Sequence, residues 1–223
     1  VTSHAASGHP ASGRPIPLAC IRHAETAWNA EKRFQGRRDI PISEKGRAAL
    51  ADWRAPAWLD GFDWVASPLA RTSETAAHLA PGPVTPEPAI IEMSWGEWEG
   101  VSRDELKQRL GQEELARREA KGLYLDPPGG ETPRAVQERL EAWLKARAAL
   151  GRPTVAVTHR GVIRALLGIA TGWAFQGEPP AIIPPGSLHL FDLHPDGRPS
   201  VRLLDRSLAP GALPATSPWE VTA

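Results

Sequence analysis

Residues 18–36, LACIRHAETAWNAEKRFQG, decide how the chain folds. Leu18 to Ile21 form a short apolar run of the kind that becomes a buried strand. The run stops at Arg22 and His23, a pair that a buried strand does not continue through. The same pattern recurs twice: in WVASPLAR the strand Trp64 to Ala66 precedes Arg71, and in TVAVTHRG the strand Thr154 to Val157 ends at His159. Three strands far apart in sequence thus each deliver a cationic or protonatable group. In open α/β sheets ligands bind outside the carboxyl ends of the strands, so the pattern predicts one pocket containing Arg22, His23, Arg71 and His159. Such a pocket suits an anion such as phosphate.

With 223 residues, 41% hydrophobic and 23% charged, the chain has the make-up of a globular domain and can bury a sizeable core. Lysine plus arginine and aspartate plus glutamate both total 26, so no global field draws the molecule to nucleic acid or an anionic membrane. Neither is expected as a partner. The single cysteine, Cys20, excludes an intramolecular disulfide and a cysteine zinc cage, and it suits a reducing, cytoplasmic setting. No run reaches membrane-spanning length, and the first residues contain no apolar signal core.

Outward from the first strand, residues 1–14 are small, polar and aperiodic and read as a flexible extension, with His4 and His9 as bystanders. A single domain is expected over 15–207 and a Pro- and Ala-rich tail over 208–223. Ser43 is suited to cap a helix running to about Trp53, with Ile42, Ala49, Leu50 and Trp53 on one face. Ser67 and Pro68 read as the start of a helix along Leu69, Thr72, Ala76 and Leu79, which sets Arg71 in its first turn. A cation there opposes the positive end of the helix dipole, which makes sense if an anion binds between the two. A short strand is expected near Ala89 to Ile91, followed by Glu92 in a loop rich in Trp and Gly. Ser102 and Glu105 form a capping box for a charged helix lasting to about Lys121. Thr132 and Pro133 start another helix bearing Val136, Leu140, Trp143 and Leu144. Residues 101–131 stand as an excursion from the sheet. The chain returns through Thr154, forms a helix from about Val162 to Ala170, and finishes with a hairpin of SLHLFDL and SVRLLDR.

Phosphoryl transfer needs a nucleophile, positive charge on the equatorial oxygens and an acid for the leaving oxygen. His23, Arg22 with Arg71, and Glu92 fill those places, and His159 supplies a further donor, without a metal or cofactor. Glu97 and Glu99 stand near enough to be alternatives to Glu92 if the loop folds otherwise. A cysteine phosphatase would need an arginine six residues beyond Cys20, where Thr26 stands, and the chain has no Walker loop, G-x-S-x-G elbow or H-E-x-x-H helix. Trp95 and Trp98 read as core or lid packing, Arg37, Arg38 and Arg160 as solvated, with Arg38 or Arg160 able to attract anions from the rim, and Cys20 as a small buried hydrophobe.

These motifs resemble those of the histidine phosphatase superfamily, the branch that includes phosphoglycerate mutases. RHAETAWN is similar to its Arg-His-Gly-Glu-(Thr/Ser)-x-x-Asn signature, with Ala24 in place of glycine, and SPLAR, EMSWGEWEG, PPGGET and THRGVIRAL follow in the family's order. The resemblance implies an α/β fold, a three-layer α/β/α sandwich with a mostly parallel sheet and a small helical cap over 101–131. It implies His23 as nucleophile, Glu92 as proton donor and acceptor, and Arg22, Arg71 and His159 as the phosphate pocket. Asn29, Gln35 and Gly36 match positions that contact substrate or phosphate in relatives. The activity implied is hydrolysis of small phosphomonoesters, with α-ribazole phosphate and sugar phosphates as candidate substrates. Phosphoglycerate mutase and a non-catalytic binder of phosphorylated ligands are the alternatives. Ala24 is tolerable if its φ is negative.

Overall fold

The computed structural model describes residues 13–219. The expectation of a flexible extension over 1–14 therefore falls mostly outside the described residues. Strand β1 (Ile16–Arg22) is followed by a single helical turn, α1 (Ala27–Ala30), and by α2 (Glu44–Asp52), β2 (Asp63–Ala66), α3 (Ala70–Leu79) and β3 (Val84–Pro86). Helices α4 (Arg103–Leu110) and α5 (Gln112–Glu119) precede the long α6 (Pro133–Leu150), and β4 (Thr154–Thr158), α7 (Arg160–Thr171), β5 (Ser187–Leu193) and β6 (Pro199–Ser207) complete the chain. The six strands run in the order β3-β2-β4-β1-β5-β6. Pairs β3·β2, β2·β4 and β4·β1 are parallel, and the terminal hairpin adds antiparallel β5 and β6 at one edge.

The apolar run at Leu18 to Ile21 is continuous because β1 is covered on both faces, as a strand in the parallel part of a sandwich is. Leu18 and Cys20 face one core with Val136, Leu140 and Leu144 of α6 and Ile163 and Leu167 of α7. Ala19 and Ile21 face the other, with Leu50 of α2 and Ala76 and Leu79 of α3. Two helical layers thus enclose the sheet. A third, smaller cluster joins Trp98, Val101, Leu106 of α4 and Leu115 of α5, and holds the cap together.

Local signals explain most of these elements, and four expectations change. Ser43 caps α2 by accepting from the Gly46 N–H at 3.0 Å, and Ile42, Leu50 and Trp53 face one core as expected, with Gly46 rather than Ala49 as the further buried position. Ala49 is exposed, since it lies about 100° round the helix from Leu50. Helix α3 begins at Ala70 with no side-chain cap, two residues later than Ser67 and Pro68 suggested, because the Ser67 hydroxyl is engaged elsewhere. The expected strand at Ala89–Ile91 is instead a 3₁₀ turn, Pro88–Ile90, and the strand is the short Val84–Pro86. Pro86 and Pro88 lack the N–H groups that a longer ladder would use. The Ser102–Glu105 capping box forms as expected, yet the charged helix breaks at Gly111, whose φ of 86° no other residue type adopts readily. Beyond Ser207 the chain packs back on the domain: Leu208 is buried and Trp219 meets Trp58 and Phe62 edge-on or tilted. No helix among the described residues is long and apolar enough to cross a membrane.

Candidate active site

Strands β2, β4 and β1 are neighbours, and their carboxyl ends are level, Arg22 opposite Thr158 and Ala66 opposite Val157. The next residues out are Ser67, His159 and His23. The His23 N–H bonds the Thr158 carbonyl at 3.1 Å and the Ser67 N–H bonds the Val157 carbonyl at 3.1 Å, which fixes the backbone of His23 and Ser67 to the sheet. The two imidazoles meet edge to face with centroids 5.2 Å apart.

Each imidazole is set by one polar contact. His23 Nδ1 donates to the Ala24 carbonyl at 2.7 Å; a carbonyl only accepts, so Nδ1 holds the hydrogen and Nε2 keeps its lone pair. The Ala24 N–H in turn bonds Thr75 Oγ1 at 3.0 Å, anchoring the turn to α3. Ala24 is absent from the described non-glycine residues with positive φ, so its Cβ brings no left-handed strain. His159 Nε2 lies 2.7 Å from Ser67 Oγ, while its Nδ1 is buried with no partner. Burial, reinforced by Arg22 and Arg71, pushes the His23 imidazole well below the usual histidine range, with the Ala24 carbonyl opposing. Burial, then Arg71 and His23, does the same to His159.

A third buried imidazole, His189 on β5, is lowered by burial to about 4. Because all three take up protons less readily folded than unfolded, their contribution is fully present above the unfolded value of about 6.5 and is lost as pH falls towards the folded values. The urea midpoint is therefore expected to drop between about pH 7 and pH 5, at up to about 1.4 kcal/mol per pH unit for each histidine. A midpoint constant over that interval would contradict the burial argument.

The guanidiniums are buried without acidic partners. Arg71 is fully buried, donating to the carbonyls of Gly36 at 2.8 Å and Arg38 at 2.9 Å, and its Nε is unpartnered. Arg22 donates through NH1 to the Ile183 carbonyl, and its Nε is likewise buried and unpartnered. Burial, with Arg160 next, lowers Arg22 to about 10, and burial lowers Arg71. Among the described residues neither has a carboxylate within ion-pair distance. Buried charge of one sign is costly unless a counter-ion joins it, so this cluster is built for an anion.

Glu92 is 8% exposed and borders the same cavity as His23, its carboxylate accepting from the Met93 N–H at 2.9 Å and from the Gly161 N–H at 3.2 Å. Gly161 permits this approach, since a Cβ there would lie 2.4 Å from Glu92 Oε1. Glu99 is committed elsewhere: its oxygens accept from the backbone N–H groups of Arg37, Trp95 and Arg38 at 2.9, 3.2 and 3.2 Å. Glu97 is exposed, and neither glutamate borders the cavity.

The cavity, about 170 Å³, is bordered by Arg22, His23, Asn29, Gln35 and Glu92. Asn29 also accepts from the Thr26 N–H at 3.1 Å, and Gln35 donates to Thr26 Oγ1 at 2.7 Å. Arg71, His159 and Gly36 do not border it; Gly36 meets the site through its carbonyl on Arg71. Arg33, Phe34, Trp95, Arg160, Gly161 and Arg164 also border it; of these the sequence points only to Arg160, as a solvated cation able to draw anions at the rim. Trp95, expected to be packing, is half-buried on the wall, whereas Trp98 is core. The i, i+4 spacing of Arg160 and Arg164 was the available signal for two cations on one face of α7. A larger groove beside Asp63 at the amino end of β2 takes two arginines, Arg147 and Arg152, which Asp63 already pairs. Among the described residues no group of three or more His, Cys, Asp or Glu side chains is arranged to hold a metal ion.

The sequence profile of the histidine phosphatase superfamily (branch 1) matches residues 18–206. The chain is 31% identical over 165 residues to 2,3-bisphosphoglycerate-dependent phosphoglycerate mutase 2 of Gloeobacter violaceus, covering 67% of this chain and 73% of that one. It is 30% identical over 174 residues to phosphoserine phosphatase 1 of Hydrogenobacter thermophilus, covering 72% and 81%. Among solved structures, a mycobacterial glucosyl-3-phosphoglycerate phosphatase with VO3 superposes with a TM-score of 0.65 at 26% identity, over 79% of this chain and 92% of that chain.

Proposed function

The chain belongs to the histidine phosphatase superfamily and is an enzyme of that kind; on that premise we propose that it is a metal-independent, cytoplasmic phosphomonoester hydrolase working through a phosphohistidine at His23. The observation that carries this reading is the free Nε2 of a neutral, buried His23 beside two guanidiniums that have no acidic partner among the described residues, with Glu92 bordering the same cavity. The substrates are small phosphorylated metabolites, with α-ribazole phosphate and sugar phosphates as first candidates.

In the first step His23 Nε2 forms a bond to phosphorus as the ester P–O bond breaks, and the Glu92 carboxyl gives its proton to the departing oxygen. Arg22 balances the charge on the equatorial oxygens at the cavity wall, Arg71 adds its positive charge without bordering the cavity, His159 serves as a neutral hydrogen-bonding member of the pocket, and Asn29, Gln35 and the Gly36 backbone hold the loop against the phosphate. In the second step the Glu92 carboxylate takes a proton from water, whose oxygen attacks phosphorus. The P–N bond breaks, releasing inorganic phosphate and free His23.

A mutase has to shield the phosphohistidine from water while the product turns over in the site. Here the stretch from Glu92 to His159 is compact, the chain after Ser207 contains no basic residue, and cap helices α4 and α5 mix acids with their cations, Arg103 being paired with Glu119. These features favour hydrolysis over interconversion. Following 3-phosphoglycerate and other small monoesters by ³¹P NMR, with and without bisphosphoglycerate, is expected to yield inorganic phosphate without interconversion of the 3- and 2-phosphoglycerates. Interconversion outrunning phosphate release would instead identify a mutase, and no reaction across a wide panel would favour the binding alternative.

A further inference from the structure

A second cavity, about 310 Å³, opens beside the catalytic one on the cap side. The two share Phe34, Trp95, Gly161 and Arg164, so the second space lies immediately beside the one that His23 borders. Its other sides are formed by the apolar Met93, Trp98, Leu125 and Phe175 together with the Arg103–Glu119 pair. The ring faces are ordered, with Phe34 and Trp95 at 4.4 Å, Trp95 and Trp98 nearly parallel at 6.2 Å, and Phe175 stacked on Trp173 at 4.4 Å. The charged groups on this wall are of two kinds: one is paired, and the other, Arg164, keeps a buried Nε without a hydrogen-bond partner among the described residues. Arg103 is paired with Glu119 through two contacts of 2.7 Å, and the Arg164 guanidinium lies over Trp173 at 5.0 Å.

Apolar walls open to water favour a ligand that covers them, since burial removes their area from water and supplies the dispersion contacts they lack. Phe175 is in a left-handed conformation, φ 63°, which a phenylalanine adopts only at a cost, and which residues at ligand clamps commonly retain. A cavity of about 150 Å³ with apolar walls is enough to bind benzene, so this one has room for a ring with its substituents. A small polar alcohol would leave most of the apolar wall uncovered.

Resting on the phosphatase reading above, we propose that this cavity is the leaving-group subsite and that the substrates are phosphomonoesters of alcohols bearing an apolar ring. The test compares a series of phenylalkyl phosphates, benzyl to phenylbutyl, with plain alkyl phosphates of the same chain lengths, so that the ester bond itself is matched. The best phenyl member is expected to have kcat/KM about thirtyfold above its alkyl counterpart, the gain from burying one phenyl ring. Filling the cavity by Leu125→Trp should bring the ratio, measured within that variant, close to one. Should that variant not fold, Phe175→Gly, which relieves the positive φ while removing one ring wall, is expected to lower the ratio at least severalfold. A ratio near one at every chain length, or a preference that survives both variants, would overturn the proposal. Calorimetric affinities of the corresponding phenylalkyl- and alkylphosphonates make the same comparison without turnover. A phenyl preference in binding with no hydrolysis of any ester would sink the phosphatase reading and leave the subsite standing. Equal affinities with brisk hydrolysis would do the reverse.

Discussion

Replacing His23 with alanine is expected to lower kcat on any phosphomonoester by on the order of 10⁴-fold or more, as loss of a covalent nucleophile does. Among the described residues that border the cavity, no second side chain offers a free lone pair at the end of a strand: Asn29 and Gln35 are amides engaged with Thr26, and Cys20 is buried with its thiol pushed up to about 12. His23→Asn separates chemistry from folding, since the asparagine amide can still donate to the Ala24 carbonyl that now takes the Nδ1 hydrogen. That variant should keep the wild-type urea midpoint and bind inorganic phosphate, yet remain as inactive as the alanine form. Activity within tenfold of wild type in either variant would remove His23 from the chemistry.

Glu92→Gln is expected to slow alkyl phosphates by about a hundred- to ten-thousandfold, the usual worth of a general acid. The loss on p-nitrophenyl phosphate should be far smaller, because its phenolate leaves without a proton. Glutamine preserves the shape and can still accept through its amide oxygen from the Met93 or Gly161 N–H. Equal losses on both classes of ester would assign Glu92 to holding the loop rather than to proton transfer. Glu99→Gln should show no such contrast between leaving groups, since its carboxylate is held by the backbone of Arg37, Arg38 and Trp95.

Much of the sandwich is legible in the sequence because its signals are local. The runs ending at Ile21 and Val157 are apolar without alternation, which is what strands covered on both faces require. Ser43, Ser102 with Glu105, and Thr132 each cap a helix by bonding an N–H three residues on, a pairing visible in a few letters. Ser67 shows where such reading stops. Its hydroxyl has the same chemistry as those caps, yet it bonds His159, 92 residues away, and nothing next to it in sequence reveals that partner. The short β3 is hidden for another reason, since three residues ending in a proline give neither periodicity nor propensity. For the site, the strand ends indicate Arg22, His23 and His159, and the fold does bring them together. Phe34, Trp95 and Arg164 reach the cavity only through the packing of the cap against α7, a tertiary contact that no spacing encodes.

The central claim is that phosphate passes through a covalent bond to His23. Rapid mixing with a phosphomonoester, an alkaline quench that spares the acid-labile P–N bond, and peptide mass spectrometry test it most directly. A phosphate-mass increment on His23 that forms and decays with turnover, and is absent from His23→Asn, is the predicted result. Turnover with no phosphorylated His23 at any time, or with the increment on another residue, would contradict it.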